Sequence, residues 1–197
     1  MADTFKTLQV KIKGVSPIIL HNGKLADPTY SYTKALKSLT TQFKRNKTDE
    51  FYIQHAALEW RGSLYLNAKD QIIVPTDLLL ACLIKAGKRQ RQGDLVKVGC
   101  FVENDAILEY NGPKELDKLY ETECFRDVRM VVVNKARVSR CRPRFDDWGL
   151  SFTMTYDSEQ LKQSEIEGLL NAAGRYCGLG DNRPMYGRFE VVSVKEV

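Results

Sequence analysis

The chain has 197 residues, of which 43% are hydrophobic, enough for the core of one elaborated domain. Its net charge of +5 and pI near 8.9 suit nucleic-acid binding without requiring it. Five scattered cysteines with no CxxC pair and only two histidines argue against a disulfide framework or zinc site, and no apolar run could span a bilayer. We therefore expect a cytoplasmic protein with reduced thiols, no metal, no cofactor and no membrane partner.

In the first half of the chain, extended and helical patterns alternate. Apolar and polar residues alternate over 5–19, which predicts a half-buried strand. Helices follow over 32–43 and from Thr48 onward, joined by the basic link Lys44, Arg45 and Lys47. Segments 62–74 and 100–111 are predicted to be hairpins, and an apolar helix over 78–88 separates them.

The second half of the chain predicts two longer strands, a helix and a last strand. The strands cover 128–138 and 149–156. Ser164 and Glu167 form a predicted capping box for a helix over 165–177, which Gly178 ends. The predicted core stripe of this helix consists of Ile166, Leu169, Leu170, Ala173 and Tyr176. The last strand covers 188–195.

The order of these elements predicts an α+β fold. Without insertions at about 22–74 and 93–126, the order is βαββαβ. This is the ferredoxin-like or RRM-like core, an antiparallel sheet with helices on one face, here with helical and hairpin insertions. No clean linker or repeat divides the chain, so we predict one domain over 1–197.

A glycine-rich loop joins the last helix to the last strand. Its glycines, Gly178, Gly180 and Gly187, permit positive φ and close backbone approach. The loop also carries Arg183, Tyr186 and Arg188, a combination suited to a phosphate chain with exposed bases. A plain helix cap followed by a turn is the alternative. The basic end of the 78–88 helix adds three further candidates for nucleic-acid binding, Lys88, Arg89 and Arg91.

A second basic segment lies between Arg126 and Arg144. Its seven cations, opposed only by Asp127, are Arg126, Arg129, Lys135, Arg137, Arg140, Arg142 and Arg144. Arginine favours bidentate phosphate contacts, so Arg137, Arg140, Arg142 and Arg144 are candidates to line a groove; a solvated charged face is the alternative. Phe145 and Trp148 are either stacking surfaces or anchors for the base of the hairpin.

The sequence contains little that indicates catalysis. His21, at the end of a strand, is a candidate general acid or base in a metal-independent nuclease, or a hydrogen-bonded turn residue. We expect His55 to be structural and Asp146 and Asp147 to cap or pair with arginines, because adjacent carboxylates on an extended segment face opposite ways. No P-loop, dinucleotide fingerprint or nucleophile elbow is present.

These residues resemble a known family. A glycine-rich loop between the second helix and last strand of a ferredoxin-like fold, here Gly178, Gly180 and Gly187 with Arg183 and Arg188, is typical of the RAMP proteins of CRISPR systems. The chain resembles their backbone subunits, which coat guide RNA. It departs from the family pattern in ending the loop with Gly187-Arg-Phe rather than Gly-x-Gly. The segment GLGDNRPMYGRFEV is also similar to tailed-phage proteins, which implies a phage-encoded relative in a bacterial host.

The resemblance implies sequence-tolerant binding of single-stranded RNA or DNA without catalysis. It also implies side-by-side assembly as a homo-oligomer or filament, with subunits of a CRISPR-type complex as further partners. The segments 62–74 and 100–111 would then reach a neighbouring subunit. Three alternatives stay open: a metal-independent RAMP-type endoribonuclease using His21, a phage protein that mimics a CRISPR subunit, and a structural phage protein.

Overall fold

The computed structural model describes residues 4–44, 48–133 and 135–197. Arg45 and Lys47 of the predicted basic link lie outside these residues. The chain separates into two compact units: the first comprises Met1–Ile18, Leu66–Asn111 and Asp146–Val197, and the second comprises Ile19–Tyr65 and Gly112–Phe145. The prediction of one elaborated domain stays a prediction.

The first unit is built on an antiparallel sheet. Its strands are β1 (Phe5–Gly14), β3 (Ile73–Val74), β4 (Cys100–Val102), β5 (Ala106–Tyr110), β8 (Trp148–Asp157) and β9 (Phe189–Glu196). The strand order is β3-β5-β8-β1-β9, and β4 also pairs with β8. Its helices are α3 (Thr76–Arg89), α4 (Gly93–Gly99) and α6 (Gln163–Ala172), the last continued by a π-helical turn, Ala173–Cys177.

Alternation along the strands makes one face of this sheet a core. On β1, Leu8, Val10 and Ile12 are buried while the residues between them are exposed. The helices α3 and α6 pack against each other. The chain order of these elements is βαββαβ, with β4 and β5 together in the place of the second strand: β1, α3, β4 with β5, β8, α6 and β9. The predicted ferredoxin-like core is therefore confirmed.

Several predicted elements of this unit were wrong in detail. The hairpin predicted over 62–74 is reduced to one antiparallel bridge, Leu66 with Ile72, because helix α2 (Asp49–Gly62) runs through Gly62 and Ile73–Val74 pairs with β5. The strands of the segment 100–111 pair with β8 rather than with each other. The cap of α6 is Glu165, whose carboxylate accepts the Lys162 backbone N–H at 2.8 Å, and not the predicted pair Ser164 and Glu167.

The second unit contains a three-stranded sheet with the order β2-β7-β6. The strands are β2 (Ile18–Ile19), at the passage from the first unit, β6 (Arg126–Val133) and β7 (Ala136–Phe145). The helices are α1 (Ser31–Gln42), α2 (Asp49–Gly62) and α5 (Leu116–Glu121), with 3-10 turns at Gly23–Ala26 and Glu123–Phe125. Thr48 precedes α2 as predicted.

The prediction of one strand over 128–138 was wrong, because this segment contains parts of two strands, β6 and β7. The chain reverses between Val133 and Ala136, where Lys135 adopts a φ of 65°, and the segment becomes the hairpin β6–β7. This hairpin belongs to the second unit, and β4 with β5 takes its predicted place in the core. The cause is nonlocal: an alternating apolar pattern predicts a strand but not which strand it pairs with.

Candidate nucleic-acid interface

The glycine loop, residues 178–188, folds on itself. Gly178, Gly180 and Gly187 have φ of 70°, 74° and 72°, which confirms the predicted positive φ. The N–H of Leu179 donates to the Gly187 carbonyl at 2.9 Å, and the N–H of Gly187 donates to the Pro17 carbonyl at 2.8 Å. The loop backbone is thus fixed at both sides by hydrogen bonds.

The glycines are needed for close approach within the loop. A β-carbon on Gly178 would lie 2.6 Å from the carbonyl oxygen of Tyr186, and one on Gly187 would overlap the Leu179 carbonyl. The predicted close approach is therefore between two stretches of this chain. Tyr186 itself is half-buried, whereas Arg183 on the outer turn is exposed.

Arg188 is positioned by the loop while its side chain remains exposed. Its backbone N–H donates to Ser16 Oγ at 2.9 Å, and its Nε donates to the Pro184 carbonyl at 2.8 Å. Among the described residues, neither Arg183 nor Arg188 forms an ion pair with a carboxylate. Both guanidinium groups therefore keep positive charge at the surface.

The basic end of α3 lies close to this loop. Burial raises the pKa of the Cys177 thiol, while the positive charges of Lys85, Arg89 and Arg183 act in the opposite direction. Three cations from two elements thus act electrostatically on one buried thiol. In the part of the chain that the structure describes, none of the three is in an ion pair. The predicted residues Lys88 and Arg91 are also exposed near this end of α3.

Tyr176 is a candidate site residue that the sequence did not indicate. It was predicted to be core, yet the residue is 47% exposed. The reason is that α6 ends at Ala172 and the chain continues as a π-helical turn, whose wider winding shifts the residues that follow. The guanidinium of Arg89 lies over the Tyr176 ring, 4.8 Å from its centroid, and that of Arg175 lies at 6.0 Å.

In the second unit, two buried carboxylates contact three of the six hairpin arginines. Asp127, 6% exposed, pairs with Arg129 and lies 3.8 Å from Arg144 Nη1. Glu59, 4% exposed, accepts from Arg140 Nη1 at 2.7 Å and from the Cys141 N–H at 2.9 Å. Arg140 and Arg144 are therefore structural partners as well as candidate ligand contacts.

The other hairpin arginines differ in exposure. Arg137, near the turn, is exposed, and Arg142 is half-buried. Phe145 and Trp148 are 0% and 2% exposed, so the stacking interpretation of both was wrong. Phe145 packs on Phe125 at the base of the hairpin, which confirms its anchor interpretation, whereas Trp148 lies in β8 of the first unit. The indole N–H of Trp148 donates to the Ser16 carbonyl at 2.8 Å.

His21 lies in the second unit beside arginines. It lines a cavity of about 340 Å³ with Arg140 and Arg142, and the Tyr65 hydroxyl donates to its carbonyl at 3.0 Å. His55 is half-buried beside the Phe51 ring, with centroids 5.5 Å apart.

Residues 4–44, 48–133 and 135–197 contain neither a metal-binding cluster nor a membrane-spanning helix. These residues contain no group of three or more His, Cys, Asp or Glu arranged to hold a metal ion. No helix among them combines the length and apolar character needed to cross a bilayer.

Comparison with known proteins gives a fold. No protein-family model matches the sequence, and no curated protein matches it. A chain in the cryo-EM structure of the Type III-B Cmr-beta bound to cognate target RNA aligns with a TM-score of 0.59 and 10% identity, covering 98% of this chain and 61% of that chain. Cmr6 from Pyrococcus furiosus aligns at 10% identity, over 94% of this chain and 97% of that one, with a TM-score of only 0.38.

The chain thus has a ferredoxin-like α+β fold that is similar to the fold of the aligned Cmr-beta chain. This similarity rests on the Cmr-beta alignment together with the βαββαβ order and the glycine loop. The present chain spans about 61% of the length of that Cmr-beta chain.

Proposed function

We propose that the protein binds single-stranded nucleic acid, with little sequence preference, through the first unit. The observation that carries the proposal is that Arg89, held over the Tyr176 ring at 4.8 Å, and the exposed Arg183 and Arg188 of the glycine loop present positive charge on the same unit. Cations without carboxylate partners on a rigid backbone suit phosphate groups. The Cmr-beta structure that contains the aligned chain is bound to cognate target RNA, which supports RNA as the first ligand to test.

Binding of this kind depends chiefly on charge. Guanidinium groups make bidentate contacts with phosphate oxygens, which follow every nucleotide whatever its base. The hydrogen bonds that close the loop fix the backbone from which Arg183 and Arg188 project. Less conformational entropy is then lost when a strand binds.

We also propose side-by-side assembly along the strand, as a homo-oligomer or with CRISPR-type subunits. Strand β6 ends its sheet, and its residues Val128, Met130 and Val132 are 62%, 62% and 71% exposed. An exposed apolar edge strand is a surface that a neighbouring chain can cover. Light scattering with and without a thirty-nucleotide strand tests assembly. Met130→Lys should reduce it and leave the affinity of a single protomer unchanged.

A second candidate function is metal-independent RNA cleavage. It is favoured by the cavity that places His21 with Arg140 and Arg142, since a general base beside phosphate-binding cations is what such cleavage needs. We propose that the protein is nonetheless not an enzyme, since the resemblance of its sequence to the CRISPR backbone subunits implies binding without catalysis. Labelled RNA incubated in EDTA should stay intact. Cleavage that is lost in His21→Ala would establish the nuclease instead.

The most direct check of the main proposal is the purified protein itself. The ratio of absorbance at 260 and 280 nm, followed by separate digestion with RNase and DNase, shows whether nucleic acid copurifies and which kind. Bound nucleic acid that is lost in an Arg89→Ala/Arg183→Ala variant supports the proposal. A protein that binds none under any condition would favour the structural or mimic alternatives, and a phage origin stays a prediction from the sequence.

A further inference from the structure

Tyr176 lines a surface groove in the first unit. The groove has a volume of about 480 Å³, and its other lining residues include Arg175, Arg188, Phe189 and Glu190. A β-carbon on Gly174 would overlap the Phe189 carbonyl, so the π-helical turn and the start of β9 pack backbone to backbone here. A volume of this order is in the range of small-ligand sites, which run from about 300 to 1,000 Å³.

The Tyr176 ring is held in place rather than free. The Arg89 guanidinium lies over it at 4.8 Å from the centroid, and the residue remains 47% exposed. The positive charge of Arg89 is attracted to the negative face of the π system, and this attraction stabilises the position of the ring. Proteins that bind single strands stack nucleobases on exposed aromatic rings that lie beside cations, and Tyr176 is such a ring.

The charges in the groove indicate where a nucleotide would place its parts. Arg188 is oriented by its bond to the Pro184 carbonyl, and Arg175 lines the same groove. Glu190 also lines the groove, and its carboxylate disfavours phosphate near it. A phosphate group would therefore contact the arginines, and an uncharged base would occupy the aromatic side.

We infer that this groove is a subsite for one nucleotide of the bound strand, with its base stacked on Tyr176 and its phosphate held by Arg175 and Arg188. The inference rests on the proposed single-strand binding and adds a contact with the base to a binding mode that otherwise depends on phosphates. Stacking tolerates any base, so the subsite strengthens binding without demanding a sequence.

The test compares two thirty-nucleotide strands by fluorescence anisotropy: oligouridine and a strand of equal length and charge that lacks all bases. Tyr176→Ala should weaken binding of oligouridine about tenfold, since stacking of one base is worth about 1–3 kcal/mol. The abasic strand should bind the variant and the wild type equally. Tyr176→Phe should keep the wild-type affinity, because the ring remains.

Tyr52 offers a matched control. It is 54% exposed on α2 of the second unit, so Tyr52→Ala removes a similar ring outside the groove and should not change the preference for bases. If Tyr176→Ala weakens both strands equally, or neither, the stacking inference is wrong while single-strand binding stands. If the wild type binds neither strand, the proposed function itself fails, and the subsite with it.

Discussion

Leu179 and Gly187 close the glycine loop: the Leu179 N–H donates to the Gly187 carbonyl at 2.9 Å, and the Leu179 carbonyl occupies the place of a β-carbon on Gly187. The two residues approach so closely because Gly187 has no side chain and a φ of 72°. The loop is therefore a scaffold whose shape depends on glycine, and the arginines it carries are presented from a fixed backbone.

Gly187→Ala should destabilise the protein by about 2 kcal/mol or more, because a side chain there meets both the strained φ and the Leu179 carbonyl. Chemical denaturation measures the change. Gly168→Ala is the matched control: the site lies within α6 with open space around the missing β-carbon, so alanine should stabilise by up to about 1 kcal/mol. Equal stability of Gly187→Ala and wild type would mean that the loop is not closed as described.

Replacing the loop arginines should separate binding from folding. The double variant Arg183→Ala/Arg188→Ala should bind single strands more weakly and lose little melting temperature, because exposed cations contribute little to stability. Leu170→Ala, which empties a buried site on α6, should cost about 2–5 kcal/mol by comparison. Unchanged affinity in the double variant would move the site to the hairpin β6–β7.

The hairpin arginines should behave differently from one another. Arg140→Ala leaves the buried Glu59 carboxylate without its ion-pair partner and should cost about 3 kcal/mol in the free energy of unfolding. Arg137→Ala, which removes an exposed guanidinium on the same strand, should cost less than about 0.5 kcal/mol. Equal costs in denaturation curves would show that the pair with Glu59 is not structural.

Stability should fall as the pH rises above about 9. Burial raises the pKa of Cys82 to about 12 and those of Cys100 and Cys141 to about 11, from a usual value of 9.0. Above pH 9 the native state thus keeps protons that the unfolded chain releases, so these thiols stabilise fully below pH 9 and progressively less toward pH 11–12. Each contributes at most about 1.4 kcal/mol per pH unit.

Melting temperatures between pH 8 and 10 measure this loss. Cys82→Ala should make the decline shallower, whereas Cys124→Ala, at an exposed site, should leave it unchanged. A melting temperature that is constant over this range would contradict the burial of the thiols.

Local signals predicted much of this architecture. Thr48 before α2, Gly178 at the end of the last helical segment and positive φ at Gly180 follow from residue type and nearby spacing, and all three were found. The βαββαβ order also emerged, although the second core strand was assigned to the wrong segment, because the pairing of β4 and β5 with β8 is nonlocal.

The site depended more on contacts that sequence spacing does not show. Glu59 meets Arg140 across 81 positions, so the structural role of that arginine was hidden. Helical periodicity predicted that Tyr176 faces the core. The residue is exposed beside Arg89 because the chain forms a π-helical turn at this point. The contact of Arg89 with the Tyr176 ring was likewise not predicted, although Arg89 was predicted to bind nucleic acid.

The salt dependence of binding to a thirty-nucleotide single strand tests the central claim most directly. Four cations, Lys85, Arg89, Arg183 and Arg188, should each neutralise a phosphate, which predicts retardation at low salt and a slope of log K against log salt of about −3. The double variant Arg183→Ala/Arg188→Ala should reduce that slope by about half. No retardation of the wild type at low salt, or an affinity independent of salt, would contradict the account.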